Sequence, residues 1–288
     1  MFQEVASGVY AVYNRFVEGK AGIVVGSHGA LALDACNYAD EGASMAAFIR
    51  EQGFPVDRLA LTHGHGDHIL GADAFVGAQI IAQITTPQVI ERQVEGWANR
   101  WDVSPADARA RVIHPNFVFE TRAELDLGDK HVQLFATPGH SEDGVCALVV
   151  EDRVLFAGDT VVTGIVPAFG DGDSRVLERT LYRLASLDIE VLVSGHGPVM
   201  RGHDVIRRWL TDTAAYLAEV RYLVRQGLAR GQSLDGIDDI LEAIPFERLV
   251  GERLPRDAHN MTKRHANVVA KIVQECARGD LLLAEPTE

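Results

Sequence analysis

Between Thr62 and His68 the chain reads Thr-His-Gly-His-Gly-Asp-His, with three imidazoles and a carboxylate in one short stretch. A neutral imidazole offers a ring nitrogen to a divalent metal, and a carboxylate adds a hard oxygen. Histidines clustered at this spacing are better explained by metal than by local hydrogen bonding in a polar loop. The apolar run Leu59 to Leu61 reads as a buried strand, and Ile69 to Phe75 as a short helix. The cluster therefore falls at the C-terminal end of a strand, where α/β folds place their chemistry. The glycines between the histidines are expected to let the backbone turn tightly.

Three further strand ends carry side chains of the same kind: Thr137-Pro138-Gly139-His140, Gly158-Asp159-Thr160 and Gly195-His196-Gly197-Pro198. The candidate ligands are then His63, His65, Asp67, His68, His140, Asp159 and His196. Seven ligands are too many for one zinc, which takes three or four from the protein in a catalytic site. They suit two ions about 3.5–4 Å apart, sharing a carboxylate and a hydroxide.

With these residues in place, the sequence resembles the metallo-β-lactamase superfamily, whose hallmark is His-x-His-x-Asp-His followed by a later His, a bridging Asp and a final His. The resemblance covers roughly Val9 to Val199, and all seven positions are filled. It implies an α/β protein: a four-layer αββα sandwich of two facing mixed sheets, with metals at one sheet edge. It also implies that His63, His65 and His140 hold the first metal, that Asp67, His68 and His196 hold the second, and that Asp159 bridges them. Cys146 fills no ligand position, so the type with a zinc-binding cysteine is not expected. The flanks of Asp159, the following Gly164 to Phe169 and the ending around His196 are similar to hydrolases associated with sulfur oxidation and quinoprotein relay. They are similar as well to the hydroxyacylglutathione hydrolases. The tail containing Arg264, His265, Asn267 and Val268 resembles that of the first group.

The elements that must position these residues are legible as apolar runs. Strands are expected at Val9–Tyr13, Ala21–Val25 and Ala30–Leu33, with a hairpin turn at Gly26 to Gly29 that leaves His28 at the surface. Further strands are expected at Gln79–Gln83, Asn116–Glu120, Glu124–Leu127, His131–Ala136, Val145–Val150, Val154–Ala157 and Val191–Ser194. Helices are expected at Gly42–Gln52, from Pro87 to Trp97 or Arg100 with Thr86 as its cap, after Ser104, and at Arg175–Leu187. After His203 the pattern turns helical. His203–Val224 has an apolar stripe through Ile206, Leu210, Leu217 and Val224, and Leu234–Ile244 and Ala258–Cys276 follow. We expect residues 1–200 to form the catalytic domain and 201–288 a helical extension packed on it, because no Pro/Gly/Ser-rich linker intervenes.

The formal net charge is −14, from 41 acidic and 27 basic residues, which argues against a nucleic-acid partner. Three widely spaced cysteines suggest neither a disulfide framework nor a thiolate metal site. No stretch reads as a signal peptide or membrane span, so the expected location is cytoplasmic. The extra apolar surface of the C-terminal helices leads us to expect a homodimer.

The expected cofactor is a pair of zinc ions, with iron or manganese as alternatives. The expected activity is hydrolysis of a small carbonyl substrate, an ester, thioester, lactone or β-lactam, by a metal-bridging hydroxide. Asp67 would orient the second metal and hydrogen-bond the nucleophile. The expected substrate walls are the Tyr38 loop, the segment with Trp97 and Trp101, and the loop ending in Phe169. The rivals are an iron-dependent persulfide dioxygenase using His63, His65 and His140, a metal-dependent phosphodiesterase, and a non-catalytic metal-binding module.

Overall fold

The computed structural model describes residues 2–231, 238–250 and 260–279. In chain order its elements begin with β1 (Phe2–Ala6), β2 (Val9–Tyr13), β3 (Lys20–Val25), β4 (Ala30–Leu33), α1 (Ala39–Glu51) and β5 (Arg58–Ala60). There follow α2 (Gly66–Ile69), β6 (Gln79–Gln83), α3 (Thr86–Trp101), α4 (Pro105–Arg111), β7 (Phe117–Phe119), β8 (Arg122–Asp126) and β9 (His131–Ala136). Then come β10 (Val145–Val149), β11 (Val154–Gly158), α5 (Ser174–Ala185), β12 (Val191–Ser194), β13 (Met200–Arg201) and α6 (His203–Ala229). The last described elements are α7 (Asp238–Ala243), α8 (Glu247–Val250) and α9 (Met261–Ala277).

Two mixed sheets result. One runs β1 through β7 in sequence order, and the other runs β13-β12-β11-β10-β9-β8. Alternate residues of single strands explain how they stack. In β4, Leu31 and Leu33 join the apolar cluster between the sheets, while Ala30 and Ala32 join the cluster under α1 and α3. In β11, Val154 and Phe156 face the other sheet, while Leu155 and Ala157 face α5, α6 and α9. Side chains alternate across a strand, so strands buried on both faces read as continuous apolar runs. The outcome is the expected αββα sandwich with a helical C-terminal extension.

The parallel pairs fix which edge carries the chemistry. β4 pairs parallel with β5, and β11 pairs parallel with β12. β9 lies one antiparallel strand away from β11, so it points the same way. The C-terminal ends of β4, β5, β9, β11 and β12 therefore open on one rim. Backbone bonds join the sheets there: Val145 N donates to Thr62 O (2.7 Å) and Lys20 N to Gly195 O (2.8 Å).

Several local expectations are corrected. Ile69–Phe75 is not one helix: α2 starts earlier, at Gly66, and a separate 3-10 turn covers Ala72–Phe75. Thr86 lies inside α3 rather than capping it. The cap position is Thr85, whose side chain makes no capping bond, and the Thr86 hydroxyl is buried. The Ser104 start does hold, its hydroxyl accepting from Asp107 N at 3.1 Å. The helix expected at His203–Val224 runs on to Ala229. The starts of the two later helices, at Leu234 and Ala258, lie outside the described residues.

Candidate metal centre

The rim brings all seven predicted side chains together in two groups. The ligand atoms of His63, His65 and His140 all lie within 4.8 Å of one another, as do those of Asp67, His68, Asp159 and His196. Asp159 faces both groups: Oδ2 lies 3.8 Å from His140 Nε2, and Oδ1 lies 3.3 Å from His68 Nε2 and 3.4 Å from His196 Nε2. It can approach because residue 195 is glycine. A Cβ there would stand 1.9 Å from Asp159 Oδ1.

Hydrogen bonds around the rim fix the tautomer of every imidazole. Asp34 accepts from Thr62 N and Thr62 Oγ1, both at 2.7 Å, and from His68 Nδ1 at 2.7 Å. The Thr62 hydroxyl proton is thereby used, so at 3.1 Å it accepts from His63 Nδ1. His140 Nδ1 donates to the Ala168 carbonyl at 2.5 Å, and His196 Nδ1 to the Val17 carbonyl at 2.8 Å. His65 Nε2 donates to Asp171 Oδ2 at 2.9 Å. Each ring thus spends one N–H outward and turns its other nitrogen inward, the outer-shell arrangement typical of metal-ligating histidine.

The inward atoms lack proton donors of their own. His63 Nε2, His68 Nε2 and Asp159 Oδ1 are buried without a hydrogen-bond partner. His65 Nδ1 and His140 Nε2 stand 3.0 Å apart, lone pair toward lone pair. Buried polar groups left this way are costly, and a cation satisfies them together. The donor set of imidazole and carboxylate without thiolate suits zinc, iron or manganese. The residues present therefore fit a binuclear metal cofactor.

The electrostatics differ between the two groups. Burial, reinforced by the neighbouring rings of His68, His65 and His140, holds the His63 pKa well below its usual value. Burial also opposes charge on His196, but Asp159 and Asp67 outweigh it and raise its pKa to about 9. Burial opposes ionisation of Asp159 too, yet His196 and His68 hold its carboxyl well below the usual range.

Sequence reasoning missed four supporting residues. Asp34 ends β4 with φ of 59°, in the strip of backbone space that Asp tolerates and most side chains avoid. Its signal was a carboxylate at the end of the strand next to β5. Asp143, fully buried, accepts from Gly64 N (2.8 Å) and Ser141 Oγ (2.7 Å), tying the two histidine loops together. Asp171 supports His65 from a loop with no motif. Lys20, also buried, donates its ammonium to the Gly197 carbonyl, and burial lowers its pKa to about 8 against the pull of Asp159. Gly64 and Gly66 do not adopt left-handed backbone. They are small because α3 packs close: a Cβ would meet Ile90 at 3.0 Å from the first, and Leu70 and Trp97 at 3.0 and 3.1 Å from the second.

The four expected wall residues occupy different settings. Tyr38 is exposed beneath Arg15, whose guanidinium carbon lies 4.7 Å from the ring centroid. Trp97 is buried and stacks on half-buried Trp101 at 6.2 Å. Its indole nitrogen lies behind the Asp67 loop, beside Gly66. Phe169 is buried under α6 and α9, at one side of a pocket of about 250 Å³ also lined by Arg264, Asn267 and Lys271. Cys146 is buried under the outer helices, where burial pushes its thiol up to about 12.

Known proteins share these features. The chain is 28% identical over 142 residues to hydroxyacylglutathione hydrolase of Rhodopseudomonas palustris, covering 49% of this chain and 46% of that protein. It is 24% identical over 111 residues to acyl-coenzyme A thioesterase MBLAC2 of Bos taurus, covering 38% and 37% respectively. The chain thus spans less than half the length of each of these relatives. Among solved structures, the metallo-beta-lactamase from Pontibacter korlensis superposes with a TM-score of 0.60 at 18% identity, covering 75% of this chain and 98% of that one. The metallo-beta-lactamase superfamily model matches residues 26–196, a span that includes every one of the seven inward-facing side chains. Sandwich, rim and sequence match agree, and the chain belongs to the metallo-beta-lactamase superfamily.

Proposed function

We propose that the protein is a binuclear zinc hydrolase of small carbonyl compounds, with His63, His65 and His140 holding one ion, Asp67, His68 and His196 the other, and Asp159 between them. The observation that carries this reading is the geometry of Asp159, one oxygen toward each histidine group. When bound, such ions lower the pKa of water and polarise a substrate oxygen. The protein's own part is to hold five inward ring nitrogens and two carboxylates in place before anything binds. Asp67 sits at the open margin of the rim, its side chain 18% exposed, with Oδ2 3.1 Å from His196 Nε2. From there it can accept a proton from a water molecule and orient it. Lys20 and Asp34 fix the backbone and ring positions from behind.

Among carbonyl classes, thioesters have support from the relative named a thioesterase. Esters, lactones and β-lactams fit the same centre. A mononuclear iron oxidative enzyme would use the first group alone and leave buried His68, Asp159 and His196 without a task, which favours the hydrolase. The resemblance to sulfur-oxidation and quinoprotein-relay members rests on motif flanks and the tail around Arg264. We place the wall of the substrate pocket at Tyr38, Trp97, Trp101 and Phe169, the protein in the cytoplasm, and its assembly as a homodimer. No helix among the described residues is long and apolar enough to cross a membrane. The test is turnover of a thioester, a lactone and nitrocefin by the zinc-loaded chain. Hydrolysis of at least one, lost on chelation, is expected; no hydrolysis of any, with metal bound, would overturn the reading.

A further inference from the structure

Both outer partners of the first histidine group that come from beyond the histidine loops lie in one segment, residues 166–174. Ala168 supplies the carbonyl that orients His140, and Asp171 the carboxylate that orients His65. The segment also grips the His140 turn directly. Asp173 N donates to the Gly139 carbonyl at 3.0 Å, and Gly172 packs so close that a Cβ would lie 1.9 Å from the same oxygen.

One helix from outside the matched family span holds this segment along its length. Arg264, Val268, Lys271 and Glu275 of α9 are spaced by four, three and four residues, which puts them on one face. Arg264 Nη1 lies 3.4 Å from the Val166 carbonyl oxygen. Lys271 Nζ donates to the Gly170 carbonyl at 2.9 Å. Glu275 accepts from Ser174 N at 3.1 Å and from Ser174 Oγ at 2.5 Å. Val268 sits between them in the apolar cluster that includes Val166 and Phe169. The face is about 16 Å long at the helical rise, enough to run beside the whole segment. The rings of the second group are oriented from elsewhere, His68 by Asp34 after β4 and His196 by Val17 in the loop between β2 and β3, while Arg264 of α9 feels the charges of Asp159 and Asp67.

We infer that α9 is a strap that positions the first metal site, acting through the 166–174 segment on His140 and His65. Lys271 and Glu275 are its positioning residues. This rests on the binuclear reading of the centre. Loosening the strap frees the Ala168 carbonyl and the Asp171 carboxylate to drift, and the two rings lose their fixed orientation. Outer-shell partners of metal-binding histidines typically carry 10–100-fold in metal affinity.

The test is competitive zinc titration against a chromophoric chelator, using full-length chains with one site removed. H196A retains the first site and H140A the second. Adding K271M and E275A to H196A is expected to weaken the remaining zinc about tenfold or more, and K271R with Glu275 intact should restore the H196A value. The same pair added to H140A should leave its zinc affinity unchanged. Unfolding of the metal-free chains is followed alongside, and K271M alone serves if the double variant does not fold. Equal loss at both sites, or no loss at the first, overturns the strap. Wild-type protein that takes up fewer than two zinc ions overturns the binuclear reading itself, and the strap with it.

Discussion

At the scale of single residues, the centre works by spending protons outward. Five imidazole N–H groups go to Asp34, Thr62, Ala168, Val17 and Asp171, and the other five ring nitrogens face inward with the carboxylate oxygens. Removing an inward ligand and removing an outward partner should therefore differ in kind. H196A is expected to keep its fold, bind about one zinc fewer and lose most hydrolysis; two retained ions with full activity would refute the assignment of His196. D34A should still bind two ions, but roughly 10–100-fold more weakly, because His68 and Thr62 lose their anchor together. Unchanged affinity by chelator competition would mean that Asp34 serves only the fold. The seven ligands were legible because they fall in four glycine-flanked clusters, each at the end of an apolar run. Asp34, Asp143, Asp171 and Lys20 were not, since single polar residues acquire such roles only once separate strands meet.

Elements set how far that legibility extended. Runs buried on both faces, such as Ala30–Leu33 and Gln79–Gln83, were recovered to the residue, because no other element packs so short an apolar run between two layers. The stretch after the histidine cluster was not, because the chain there is bent to deliver Asp67 and His68 and breaks into two short turns. The α3–α4 segment interrupts the strands and brings Trp97 beside Gly66, with Trp101 stacked on it. If this pair forms part of the substrate wall, W101A should change the ratio of kcat/KM between matched aromatic and short-chain esters several-fold while metal content stays intact. An unchanged ratio assigns both tryptophans to packing alone. Their burial was undecided from spacing, since a four-residue interval serves a core face and a pocket wall equally well.

For the whole molecule, α6 and α9 extend the outer helical layer beyond residues 26–196, and their apolar stripes join the cluster on the second sheet. That continuity supports treating the described part of the tail as an extension of the same domain. Tyr182, Val205, Tyr222 and Leu228 remain exposed on α5 and α6. Light scattering at micromolar concentration should give twice the chain mass of 31.4 kDa, and a monomer mass would remove the dimer. The acidic net charge and a metal-loaded centre have opposite consequences: the surface repels anions at long range, while the loaded centre attracts them locally.

We propose that one rim holds two ions with Asp159 between them. The most direct test is zinc titration of the chelator-stripped, full-length protein with metal content read by elemental analysis. Two tightly bound equivalents are expected, with D159A retaining no more than one at the same free zinc. Two equivalents bound as tightly by D159A as by the wild type, or a wild type that saturates at a single ion, would contradict it.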